Sequence, residues 1–257
     1  MNPNISQAII LHHTDYGEAD RIVTFLTPDR GRLKGFARAA RKSRKRFGAA
    51  LEPFAEVQLH WVARSSGDLI SLRDAELINL RTGLRRDLET LTLAGYGCEL
   101  TEVLFDESGI GVEVFLLLQA FLDHLDSTGY SVEARLLLEI RLLSLAGYVP
   151  HLQHCAACFG PLPNGPVSFS AVADGSLCPA CDSGRAKLKI DRLTLGTFAR
   201  ILLTPLTSFA DFKLSPRSRQ EGQALLNDAL QLHLHRPLKT LASLRRFSPI
   251  ETLDEDS

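Results

Sequence analysis

Along the first eighty residues, apolar and polar positions follow the short periods of β-strands. "SQAIILHHTD" (6–15) is an apolar run with polar flanks, and "DRIVTFLT" (20–27) is β-branched and aromatic. "PDRG" then supplies a turn, and "RLKGFA" (32–37) alternates. In "FAEVQLHWV" (54–62) the inward set is Phe54, Val57, Leu59 and Trp61 or Val62, with an irregularity near Ala55. "RSSGD" (64–68) reads as a loop and "LISLRDAELINL" (69–80) as a fifth strand. Five strands without a long helix predict a small barrel. The OB-fold is the five-stranded barrel of this size, and a sandwich or an SH3-like barrel fits the same pattern.

After Thr82 the spacing becomes helical. Leu84, Leu88, Leu91, Leu93, Leu100, Val103 and Leu104 predict a helix over 83–105. Further helices are predicted over 112–126 and 131–147, the latter with Ser131 as N-cap and Glu133 in its first turn. Gly129 and Gly147 punctuate the ends. Two more helices follow at 191–203 and 218–235; Pro237 stops the last, and "LKTLASLRRF" forms a short terminal one. Between 150 and 190 Gly, Pro, Asn and Cys interrupt the pattern; "VSFSAV" reads as a strand and "ADG" as a turn. The tail "ETLDEDS" has four acids in seven residues and is expected to be disordered. The expected organisation is a barrel domain over 1–81 and a helical domain over 82–257 with an insert at about 150–185.

Charge changes this picture in one place. The formal net charge is −1, yet residues 1–81 carry 13 Lys and Arg against 9 Asp and Glu. "ARAARKSRKRFG" (37–48) holds six cations and no acid. Like charges repel, so such a stretch is either solvated or bound to an anion, and phosphate neutralisation is the usual use of such a set. The candidate nucleic-acid contacts are Arg32, Lys34, Arg38, Arg41, Lys42, Arg44, Lys45 and Arg46. An anionic protein or membrane is the alternative partner. Phe36 and Phe47 are interleaved and read as barrel packing rather than base-stacking surfaces. "DYGEAD" (15–20) reads as an exposed turn rather than a metal site. The longest apolar run, "VFLLLQAFL" (114–122), is broken by Gln119, closed by Asp123 and too short to span a bilayer. With no signal peptide legible, a cytosolic protein is expected.

Cys155-x-x-Cys158 and Cys178-x-x-Cys181 lie 19 residues apart, the spacing of a four-cysteine zinc site. Four sulfurs close a tetrahedral shell, so one structural Zn2+ is expected rather than a catalytic one. His151 and His154, just upstream, read as surface or supporting residues, and Cys98 as a small buried hydrophobe. No P-loop, G-x-G-x-x-G, H-E-x-x-H or G-x-S-x-G pattern occurs, so these enzyme signatures are missing.

The stretch "YGEADRIVTFLTPDRGRLKGFARAARKSRKRFGAALEPF" (16–54), with its Gly-Glu-x-Asp-Arg lead, "RGRLKG", basic run and "LEPF" ending, resembles the N-terminal signature of the bacterial RecO DNA-repair family. "GYVPHLQHCAACFG" and "SLCPAC" are similar to the zinc module of many members. The resemblance implies an N-terminal OB-fold, a helical region carrying the zinc module, and Cys155, Cys158, Cys178 and Cys181 as ligands. It also implies binding of single- and double-stranded DNA and annealing of complementary strands. Recombinase (RecA) would be loaded on DNA coated by single-strand-binding protein, with RecR and often RecF as partners. Where many members carry Gly-Gly before the second knuckle, this chain has Asp174-Gly175. The residues alone also fit a zinc-stabilised adaptor that docks an acidic protein, or an RNA-binding OB protein. Within the helical region an apolar groove is expected to take a partner's acidic tail near Arg245 and Arg246, two arginines that otherwise read as solvated.

Overall fold

A computed structural model describes residues 4–63, 69–105, 111–184, 186–210 and 212–247, with only the backbone of Arg245 and Phe247. The loop expected at 64–68 and the tail at 251–257 lie outside the described residues, as does the Arg245 side chain. The chain forms two compact units, Met1–Tyr130 and Ser131–Ser257.

In the first unit, β1 (Asn4–Tyr16), β2 (Asp20–Thr27), β3 (Gly31–Ala37), β4 (Glu56–Val62) and β5 (Ile70–Asn79) close a barrel in the order β1-β2-β3-β5-β4. β4 returns to pair with β1, and β3–β5 is the parallel pair. This is the OB-fold rather than a sandwich or an SH3-like barrel. Alternation sends Val23, Phe25, Val57, Leu59 and Trp61 inward, where Phe47 and Leu51 from the β3–β4 connection join them. Trp61, not Val62, takes the inward position: it is 4% exposed. Irregularities in the β4–β5 register fall at Glu56/Val57 and His60/Trp61. At Gly35 a Cβ would lie 2.7 Å from the Leu72 side chain, so only glycine lets β3 approach β5 there.

Helices α1 (Leu88–Leu104) and α2 (Val112–Thr128) complete this unit. The predicted start at 83 moves to 88 because Thr82–Arg85 forms a 3-10 turn, after which Asp87 caps α1 by accepting from the Thr90 N–H at 2.6 Å. That hydrogen bond holds the Asp87 carboxyl below the usual range. Arg81 is fully buried in a network that charge counting does not reveal. Its guanidinium donates to Glu56 at 2.6 Å, Asp123 at 2.7 Å and the Phe54 carbonyl at 2.8 Å. Gln7 and Gln119 both donate to Glu56. Of the two polar residues that interrupt and close the apolar run of α2, Asp123 thus helps neutralise a buried cation at the end of the barrel, and Gln119 steadies the Glu56 carboxylate that pairs with it. Cys98 is buried on α1, and burial pushes its thiol up to about 12.

The second unit holds α3 (Val132–Leu145), β6 (Pro166–Ser170), β7 (Gly175–Leu177), β8 (Leu188–Asp191), α4 (Arg192–Leu202), α5 (Pro216–His233) and α6 (Lys239–Phe247). Ser131 caps α3, accepting from the Ala134 N–H at 3.1 Å. β7-β6-β8 form an antiparallel sheet of which the sequence revealed only β6. α5 begins at Pro216 rather than 218, with Ser215 as cap and proline where no N–H is needed. α3 is buried around its whole circumference and carries Arg141, which donates to the Ser208 and Pro205 carbonyls and to Thr204. Burial lowers the Arg141 pKa to about 10.

Candidate nucleic-acid interface and metal centre

The cationic stretch occupies the connection between β3 and β4, which is pinned at several points. The Ala39 N–H donates to Asp20 at 2.7 Å and the Arg41 N–H to the Ala19 carbonyl at 3.0 Å. The Ala75 N–H donates to the Arg46 carbonyl at 2.8 Å, and Phe47, Ala50 and Leu51 are buried in the barrel. With the apolar positions turned inward, Arg38, Arg41, Lys42, Arg44, Lys45 and Arg46 are all exposed. Arg41 reaches Asp15 at 3.6 Å, and Arg46 donates to the Arg38 carbonyl at 2.8 Å and lies over the Phe47 ring. Arg38, Lys42, Arg44 and Lys45 form no ion pair with any described residue. At these four positions the loop therefore projects positive charge that no described residue of the barrel pairs with.

The other two candidates are on β3. Lys34 is exposed, whereas Arg32 is half-buried, donates to the Glu102 carbonyl at 2.6 Å and pairs with its carboxylate at 3.6 Å. Six of the eight candidates thus share the loop, Lys34 lies on the strand leading into it, and Arg32 is engaged by α1. Of the acids in 15–20, Asp15 pairs with Arg21 and Arg41, and Asp20 receives the Ala39 N–H. Phe47 is core, as read from the sequence. Phe36 is half-buried and meets the exposed ring of Tyr16, a residue the sequence reading missed.

In the second unit the four cysteine sulfurs lie within 4.8 Å of one another, with Cys158 and Cys178 at 3.8 Å. A tetrahedron with metal–sulfur bonds of about 2.3 Å has edges of about 3.8 Å. Each CxxC is a knuckle: the Phe159 N–H donates to the Cys155 carbonyl at 2.9 Å, and the Cys181 N–H to the Cys178 carbonyl at 3.0 Å. Asp174 (φ 60) and Gly175 (φ 134) make the turn before the second knuckle. A Cβ at 175 would sit 2.4 Å from the His151 carbonyl oxygen, so glycine is required at the second position while Asp174 serves at the first. Burial pushes the Cys155 thiol up, but N–H groups of Cys178, Cys158 and Ala157 outweigh it and bring it to about 6. The neighbouring sulfurs of Cys178, Cys158 and Cys155 push Cys181 up to about 12. Four thiolates this close repel one another unless a cation sits between them, and the donor set fits a soft or borderline metal in a closed shell. His151 and His154 contact each other at 2.9 Å and pack around Phe159; neither belongs to the sulfur group.

An OB barrel with an outward cationic loop, followed by a helical region that holds a four-cysteine centre, defines the class of this protein. Residues 1–81 match the family described as Recombination protein O N terminal, and residues 85–242 match Recombination protein O C terminal. The chain belongs to the RecO family of DNA repair and recombination proteins, as its N-terminal signature and cysteine knuckles led us to expect. It is 49% identical to DNA repair protein RecO of Syntrophotalea carbinolica over 243 residues, covering 95% of this chain and 94% of that protein. It is 37% identical to the RecO of Anaeromyxobacter sp. (strain K), covering 94% and 96%, and 35% identical to that of Geobacter metallireducens, covering 97% and 100%. Among the described residues no helix is long and apolar enough to cross a membrane.

Proposed function

We propose that this protein is a recombination mediator that binds single- and double-stranded DNA through the 38–46 loop and the adjoining barrel face. The observation that carries this reading is the exposed set Arg38, Lys42, Arg44 and Lys45 on an OB barrel, which pairs with no carboxylate among the described residues. Phosphates replace their counterions there, and each single-strand phosphate contact contributes about −0.7 to the slope of log affinity against log salt. Neutralising two strands on one surface lowers their mutual repulsion and favours annealing. Family membership supports the rest: help in loading RecA recombinase on DNA coated by single-strand-binding protein, with RecR and RecF as partners, in the cytoplasm at the nucleoid. The protein works by binding, without breaking covalent bonds. Cys155, Cys158, Cys178 and Cys181 hold one zinc ion, whose role is to fix the module's fold.

Fluorescence anisotropy with labelled single-stranded DNA, RNA and an acidic peptide, each at two salt concentrations, tests this reading. The expected order places DNA first, with strong salt dependence. Preference for the acidic peptide would make the protein an adaptor, and preference for RNA an RNA-binding OB protein.

A further inference from the structure

Tyr16 ends β1 beside the turn at 17–19, and it is 58% exposed. Its ring meets that of Phe36 at a centroid distance of 5.9 Å and an interplanar angle of 79°. Whichever ring supplies the edge in this T-shaped contact, one flat face of Tyr16 is not used by Phe36. The register explains the meeting. Tyr16 pairs with Asp20 on β2, and Ile22 pairs with Phe36 on β3. These side chains lie on the barrel's outer face, opposite the inward Val23 and Ala37. The same alternation places Lys34 on that face and leads to Arg38 just beyond the strand.

The aromatic pair and the cationic loop form one surface. The loop is tied to this hairpin by the Arg41 N–H to the Ala19 carbonyl and the Ala39 N–H to Asp20. Asp15, which would repel a phosphate beside Tyr16, is paired with Arg21 at 3.2 Å and Arg41 at 3.6 Å. We propose that Tyr16, braced by Phe36, is a stacking platform for one unpaired base, next to the loop cations that hold the flanking phosphates. This rests on the DNA-binding reading above and goes beyond it by naming the group that tells unpaired from paired strands. A duplex offers no free base face to the tyrosine, so the platform adds affinity for single strands alone.

The test compares wild-type protein with Tyr16→Ala, Tyr16→Leu and Tyr16→Phe. Each is titrated with oligo-dT, with an abasic deoxyribose-phosphate strand of equal length, and with a duplex. One base–aromatic stack corresponds to roughly 5- to 150-fold in affinity. Tyr16→Ala and Tyr16→Leu should lose that factor on oligo-dT and match wild type on the abasic strand and the duplex. Tyr16→Phe should retain oligo-dT binding. Unchanged oligo-dT binding by both variants, or an equal loss on the abasic strand, overturns the platform. If wild type still binds every ligand with a steep salt dependence in that case, the DNA reading stands without it. If wild type binds no DNA, both fall. Matching thermal midpoints confirm that the exposed substitutions leave the barrel folded.

Discussion

The cationic loop and the cysteine module both crowd groups of like charge together, and they manage the repulsion in opposite ways. In the module, four cysteine sulfurs lie within 4.8 Å of one another, and as thiolates they would repel at that distance unless a cation bonded directly to all four, so the donor set fits a metal ion. In the loop, six cations are exposed and solvent tolerates them one by one, which leaves them available to an external polyanion. Arg81 stands between the two cases. It is as cationic as Arg44 but fully buried, and the fold supplies two carboxylates within 2.7 Å. Between Arg81 and Arg44, burial decides whether the counter-charge comes from within the molecule or from a ligand.

The contrast breaks most forcefully at the metal. Structural zinc sites contribute on the order of 10–16 kcal/mol to small modules. Cys155→Ser with Cys158→Ser should reduce the metal from one per chain to none by mass spectrometry, and the module should lose protection from proteolysis. Wild type without bound metal would remove this half of the comparison. Because the ligands must be thiolates, metal retention should also fall on acidification, measured by dialysis across a pH series.

A smaller but still large effect is expected at Arg81. Removing one partner of a buried pair costs about 3–5 kcal/mol because the other charge is stranded. Arg81→Met should therefore lower the urea midpoint strongly, whereas Arg44→Met, at an exposed position, should leave it nearly unchanged. Arg81→Met combined with Glu56→Gln should cost less than the two single changes added together. Comparable losses at positions 81 and 44 would erase the distinction between internal and external counter-charge.

The smallest effects are at the helix caps. Ser131→Ala should cost about 1 kcal/mol with no pH dependence near neutrality. Asp87 differs because its folded pKa is depressed by the Thr90 N–H. Its contribution is fully present above the unfolded value and is lost as pH falls through the lower folded value. Denaturation of Asp87→Asn and wild type at pH 7 and in the acid range should therefore show a gap that closes on acidification.

Much of this organisation is legible in the chain. β2 was readable because "DRIVTFLT" combines β-branched residues with a following turn, and the α3 cap because Ser131 precedes a long apolar pattern. The knuckles were legible because CxxC spacing fixes the chemistry of its own loop. β7 and β8 were not, since three and four residues carry no measurable alternation. Arg81 was hidden because its partners Glu56 and Asp123 lie 25 and 42 positions away. Tyr16 was hidden for a similar reason: an aromatic at a strand end reveals nothing of its neighbour until register brings Phe36 beside it.

The central claim is that the loop cations hold nucleic-acid phosphates, and its most direct test is the salt dependence of single-stranded oligonucleotide binding. Wild type is compared with a variant in which Arg44, Lys45 and Arg46 are all alanine. Three lost phosphate contacts should flatten the slope of log affinity against log salt by about 2. An identical slope in the two proteins would contradict the assignment.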